Sequence, residues 1–386
     1  MRHFDFLGEA ERRRLFLRPP APFTAADDLA VLAVALGATL YIPATRPRLA
    51  HDIELQAAQG VQSAVVCLED SIADTELPAA ERNAIAQLRS YAERQPDGPL
   101  LFVRVRSAEQ IAMIVDELGP AAAALTGFVL PKFTEACGRG YLEAVTAAAD
   151  RLGRRVLAMP VLESPEISHA ERRLPELLAI RDLLEKYRET VLAVRLGATD
   201  LSSGFGLRRS RELSVYDVRI LADVIADVVN VLGRADGSGH VVTGAVWEYF
   251  SASERLFKPQ LRESPFIEHA DRALRAELIA RDLDGLIREV ALDKANGLTG
   301  KTVIHPTHVA AVHALSVVTH EEFSDAADIL GTNASGGVAR SSYRNKMNES
   351  KPHSAWARRI MSRAHVFGVA RETTSFVDLL DAGLNQ

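Results

Sequence analysis

Eight short, almost wholly apolar runs, each followed by a segment of helical periodicity, limit what this chain folds into. They are ATLYIPA (38–44), SAVVCLED (63–70), LLFVRV (100–105), GFVLPK (127–132), VLAMPVLES (156–164), VLAVRLGATD (191–200), GHVVTGAVW (239–247) and TVIHP (302–306). Strands that are apolar at nearly every position, rather than at every second one, are buried on both faces, as in a parallel sheet covered by helices. Eight such runs alternating with helical patterns predict a (β/α)8 TIM barrel. A doubly wound open sheet is the alternative, but no glycine-rich dinucleotide-binding turn follows the early runs.

Residues 1–37 are charged and then Ala-rich, and read as an N-terminal arm; 38–318 read as the barrel, with an insertion at about 246–272. Residues 319–386, with a Gly/Ser-rich loop and a basic helical segment, read as a C-terminal helical extension or lid. Arg344, Lys346 and His353 within it are candidates to reach an anionic substrate at a neighbouring subunit. The net charge of −6 argues against nucleic acid or an anionic membrane as the main partner, and no apolar run is long enough to span a bilayer. With Cys67 and Cys137 alone, neither a disulfide framework nor a zinc-type pairing is expected, which fits a reducing, cytoplasmic setting.

The chemistry gathers where the runs end. Glu163 closes VLAMPVL and Asp200 closes VLAVRLGAT, placing two carboxylates at the C-terminal ends of buried strands, where barrels and α/β sheets bind ligands. Two carboxylates are too few for a calcium cage but suit Mg²⁺, or Mn²⁺, which keeps waters and accepts oxygens from an anionic substrate. Either acid alone could simply cap the following turn. Arg104 shares a strand face with Phe102 and Arg106, and burying its guanidinium requires an anionic partner, either a substrate oxygen or an internal acid such as Glu69. In the adjacent pair Glu69–Asp70, strand alternation allows only one acid to face the axis. Lys132 could bind a substrate anion, or form a Schiff base; His305 reads as a structural histidine before a general base, and the SGFG turn (203–206) is a weak phosphate-binding signal.

Seven motifs in order resemble the HpcH/HpaI aldolase and citrate lyase β-subunit family: YIPA, CLEDSI, FVRVR, FVLPK, MPVLES, LGATDLSSGFG and GLTGKTVIHPTHV. The resemblance implies a TIM barrel and a Mg²⁺-dependent carbon–carbon lyase, of aldol or retro-Claisen type, acting on a small 3-hydroxy or 2-oxo acid or its CoA thioester. It implies Glu163 and Asp200 as metal ligands, Arg104 and Glu163 as the substrate-contacting pair, and Glu69 and Asp70 as acids beside the metal. It also implies a homo-oligomer, a trimer or hexamer. Cys67 stands where that family usually has Asp, and Arg106 where it has Asn. These changes motivate a second reading, a catalytically altered barrel serving as a binding or assembly subunit; a phosphoenolpyruvate-handling barrel is a third. The 246–272 connection and the KMNESKPHSAWARRI tail resemble a divergent citrate-lyase-like branch associated with bacterial stress or tellurium-resistance gene neighbourhoods.

Overall fold

The computed structural model describes residues 1–94, 98–250, 283–331 and 337–384. Each apolar run contains a strand of one parallel sheet. The strands are β1 (Ala38–Pro43), β2 (Ser63–Cys67), β3 (Leu100–Arg104), β4 (Gly127–Leu130), β5 (Leu157–Leu162), β6 (Val194–Leu196), β7 (Val242–Thr243) and β8 (Lys301–Val303). Neighbours in sequence are neighbours in the sheet from β1 through β7, and β8 pairs with β1. A parallel bridge between Gly244 and Lys301 joins β7 to β8 and closes the ring. The chain is therefore a TIM barrel, as its alternating pattern predicts.

Helices connect the strands on the outside. Two show how local sequence sets their limits. The helix Glu135–Leu152 begins where the Thr134 hydroxyl accepts the Cys137 amide at 3.3 Å, and it ends at Gly153 in the left-handed conformation. The helix Arg219–Leu232 buries Leu221, Val224, Ile225, Val228, Val231 and Leu232, a stripe at helical spacing that packs on the barrel wall.

Two apolar layers follow from the strand period of two. Val66, Leu101, Val103, Phe128, Leu130, Ala158 and Leu162 point outward into the helix layer. Val65, Phe102, Val129, Leu157, Met159 and Val161 point inward and fill the barrel, together with Leu32, Leu36, Val366 and Phe367. Those last four belong to the helix Leu29–Ala35, the residue after it, and the end of the helix Ser350–Phe367. Within one chain, the N-terminal and C-terminal segments thus pack together beneath the strand starts, opposite the end where the acidic residues emerge. The strand Phe16–Arg18 pairs antiparallel with Val369–Ala370 and ties the two segments to each other. Of the 246–272 connection, residues 251 onward lie outside the described residues. Among the described residues no helix is long and apolar enough to cross a membrane.

Candidate active site

Inward-pointing positions change character at the C-terminal ends of the strands. β3 runs Leu100, Phe102, Arg104 on its inner face, and the inner face of β5 continues Met159, Val161, Glu163. Arg104 and Glu163 therefore rise from the two strands that flank β4. The Arg104 Nη2 lies 2.8 Å from Glu163 Oε1, 2.7 Å from Glu69 Oε2 and 3.0 Å from Asp70 Oδ2. Both members of the Glu69–Asp70 pair reach the same guanidinium, whereas strand alternation allows one. The reason is local: β2 ends at Cys67, and the chain turns after it, the Ile72 amide donating to the Glu69 carbonyl at 2.9 Å, so the period of two no longer applies.

Lys132 supports the acids in two ways. Its ammonium bonds Glu69, and Asp70 at 3.1 Å. Its backbone has φ 47°, a left-handed conformation rare for a residue with a side chain, and from it the amide donates to Glu163 Oε1 at 3.0 Å. Gly197, after β6, fits against the same carboxylate: a Cβ there would lie 2.1 Å from Glu163 Oε2. The Asp200 carboxylate approaches from the helix Ala198–Ser203. Oxygen atoms of Asp70, Glu163 and Asp200 all lie within 4.8 Å of one another.

The electrostatics match this crowding. Burial pushes Glu163 up to about 7, with Asp200 and Glu69 adding to the rise against the pull of Arg104 and the Lys132 amide. Burial also raises Glu69, and its hydrogen bond with Asp70 adds to this. Burial works against ionisation of Asp70 too, but the bond with Glu69 and the Arg104 and Lys132 charges hold it below the usual range. Arg104 loses solvation, yet Glu163, Tyr41 and Glu69 keep it firmly protonated. Three carboxylates in such a space carry more negative charge than two cations already shared with Glu69 offset. A divalent cation fits the donor set, which is all oxygen and small in number.

Asp70, Arg104, Glu163 and Asp200 line a cavity of about 510 Å³ that opens at the barrel mouth. Tyr41, Cys67, Arg195, Thr302 and Ile304 complete much of its wall. Lys132 and His305 are not among its lining residues. The His305 ring stacks on Phe250, centroids 4.6 Å apart, and its Nδ1 is 2.7 Å from the Thr307 hydroxyl. Arg106 turns away and pins the loop after β2, donating to the Leu68 carbonyl at 2.8 Å and pairing with Asp74. Lys346 is engaged by Glu321 and Asp325, and His353 accepts the Glu349 amide at 3.1 Å. Sequence reading passed over Arg195 and Gly197; the one visible signal was an arginine inside the otherwise apolar run VLAVRLGA.

A closed parallel barrel with carboxylates and a guanidinium at its C-terminal mouth is the framework of an enzyme. Residues 30–369 match the model of the family described as C–C bond lyases of the TIM-barrel fold, and the chain belongs to that family. It is a carbon–carbon lyase by family, in agreement with the resemblance carried by its motifs. No curated protein sequence matches it. Among solved structures, it is similar to a citrate lyase from Burkholderia xenovorans, with TM-score 0.61 and 16% identity over 89% of this chain and 96% of that one. It is also similar to the CitE protein of Mycobacterium tuberculosis in complex with magnesium, acetoacetate and coenzyme A, with TM-score 0.52 and 20% identity over 86% and 99% of the two chains. The magnesium/glyoxylate complex of Haloferax volcanii malate synthase matches with TM-score 0.50 and 15% identity over 71% and 73%.

Proposed function

We propose that the chain is a Mg²⁺-dependent lyase that makes or breaks a C–C bond beside a carbonyl, in a small 3-hydroxy or 2-oxo carboxylic acid or its CoA thioester. The observation that carries this is the convergence of Asp70, Glu163 and Asp200 oxygens within 4.8 Å, with Arg104 bonded to two of the three acids. Glu163 and Asp200 would hold the cation, and Asp70 would complete the oxygen set. A divalent cation bound there supplies Lewis acidity toward a substrate carbonyl and a template for a chelating carboxylate.

The protein's own groups do the rest. Arg104 makes its acid contacts through Nη2, while its Nε is buried without a partner and its side chain lines the cavity. It is aimed to donate to the oxygen on which negative charge develops as the C–C bond breaks. Lys132 fixes Glu163 through its amide and fixes Glu69 and Asp70 through its ammonium. Glu69, whose proton affinity is raised, and Asp70 beside it on the cavity wall form the pair through which the hydroxyl proton leaves. The cavity accommodates a short acid or an acyl group, so any CoA moiety would extend outward from the mouth.

The test is release of pyruvate, glyoxylate or acetyl-CoA from a panel of 3-hydroxy acids and thioesters, with and without Mg²⁺. Arg104→Ala is expected to lower turnover about 10²–10³-fold, the typical loss for one oxyanion donor. Turnover that ignores both the metal and this substitution would refute the reading.

A further inference from the structure

Arg195 has no place in the chemistry described so far, yet it occupies the middle of the barrel. It lies on the inner face of β6 and is 1% exposed. Its Nη1 is 3.3 Å from the Thr39 hydroxyl and 3.7 Å from the Met159 sulfur, and its Nη2 is 2.6 Å from the Thr302 hydroxyl. Its Nε is buried with no partner, and the Tyr41 ring lies 5.6 Å from the guanidinium carbon. Every one of these neighbours is neutral. Among the described residues, no carboxylate forms an ion pair with Arg195. Other buried arginines are paired: Arg173 with Asp227 at 2.8 Å, Arg209 with Glu289. Burying an uncompensated guanidinium is strongly unfavourable, so such a group points to an anion that arrives from outside.

The route for that anion is present, because Arg195 forms part of the wall of the cavity that holds Arg104, Glu163 and Asp200. Arg195 precedes by two residues Gly197, which abuts the Glu163 carboxylate, so it sits one side-chain layer, roughly 7 Å, deeper along the strand. Arg104 is already shared among three acids and Lys132 between two. Among the described residues that line the cavity, the cationic group left for a second substrate anion is Arg195.

We propose that Arg195 is an anion subsite at the floor of the cavity, receiving the distal carboxylate of a short dicarboxylic acid whose other end lies at Asp70, Glu163 and Asp200. This deepens the proposed function and rests on its placement of the substrate. It assigns the enzyme to dianionic acids, with the guanidinium fork setting the orientation of the chain. Thr39 and Thr302 hold the fork in place across the barrel, from β1 and β8.

The test is calorimetric binding to the full-length protein, with and without Mg²⁺, of malonate, succinate and oxaloacetate against acetate, butyrate and pyruvate. The wild type is expected to bind succinate at least tenfold more tightly than butyrate. Arg195→Met is expected to bring that ratio close to one, to leave butyrate and Mn²⁺ affinity unchanged, and to melt no lower than wild type. Arg195→Lys, which keeps the charge without the fork, retains a reduced preference. A wild-type ratio near one overturns the proposal. So does loss of the preference in both variants together with a lower melting temperature, since the guanidinium is then a structural tie. A preference that persists without Mg²⁺ supports the subsite even if the metal reading fails; Mn²⁺ binding without any preference sinks the subsite and spares the metal.

Discussion

Replacing Gly197 by alanine tests the site through a single methyl group. The ideal Cβ would stand 2.1 Å from Glu163 Oε2, 2.5 Å from its Cβ and 2.9 Å from its Cδ. Unstrained contacts need about 3.5 Å, so the glutamate would have to withdraw by about 1 Å at its Cβ and about 1.4 Å at Oε2. It has little freedom to do so, because Oε1 is held by Arg104 at 2.8 Å and by the Lys132 amide at 3.0 Å. The backbone at Gly197 is not the obstacle, with φ −100° and ψ 76°. Overpacking of this kind costs about 1–3 kcal/mol, which leaves a domain of this size folded. Displacing a catalytic group by 1 Å costs about 10²-fold in rate. We therefore expect Gly197→Ala to fold, to lose about 10²-fold in kcat/KM and to bind Mn²⁺ more weakly by titration calorimetry. Gly204→Ala is the control, since its Cβ would meet nothing closer than the Ser168 hydroxyl at 4.0 Å. If Gly197→Ala stays within threefold of wild type in both measurements, the close fit around Glu163 has no part in the chemistry.

Two further expectations concern stability. His313 is fully buried beneath β1, accepts the Ala38 amide on Nε2 at 3.2 Å and has the His3 ring 4.6 Å away; burial lowers its pKa to about 3. Between that value and the unfolded pKa near 6.5 the unfolded chain binds more protons, so stability falls as pH falls, by about 2 kcal/mol at pH 5 from this group. Urea unfolding at pH 7.5 and 5 should show a smaller difference in His313→Gln than in wild type, and an identical difference would refute the assignment. Lys301 is wholly buried between Glu289 at 2.9 Å and Asp293 at 2.7 Å, so Lys301→Met leaves the Asp293 carboxylate in the wall without its cation, while Glu289 keeps Arg209. A loss of about 3–5 kcal/mol is expected, and thermal unfolding indistinguishable from wild type would show that the carboxylate is neutralised another way.

Most of the framework was legible in the chain because its signals are local. An apolar run needs only its neighbours to be read as a buried strand, and a carboxylate after it marks the C-terminal edge whatever the rest of the fold does. Glu163, Asp200 and Arg104 stand out on those grounds. Lys132 does not declare its part: the lysine is visible, but its φ of 47° and the amide it turns toward Glu163 follow from the chain's path after β4. Glu69 and Asp70 show the limit of alternation, which holds inside the ladder and lapses once the backbone turns away after Cys67.

Sequence by itself determined the eight strands, their parallel order and the end of the barrel at which acids emerge, since these depend on periodicities of two and 3.6. Closure of the ring decided the remainder. It brought Asp70 to within 4.8 Å of Glu163 and Asp200, set Arg195 among the Thr39 and Thr302 hydroxyls of β1 and β8, and seated Leu32, Leu36 and Phe367 beneath the strand starts. The physical reason is that a strand specifies only which side each residue faces, whereas the curvature and stagger of the closed sheet specify what that residue meets across the axis.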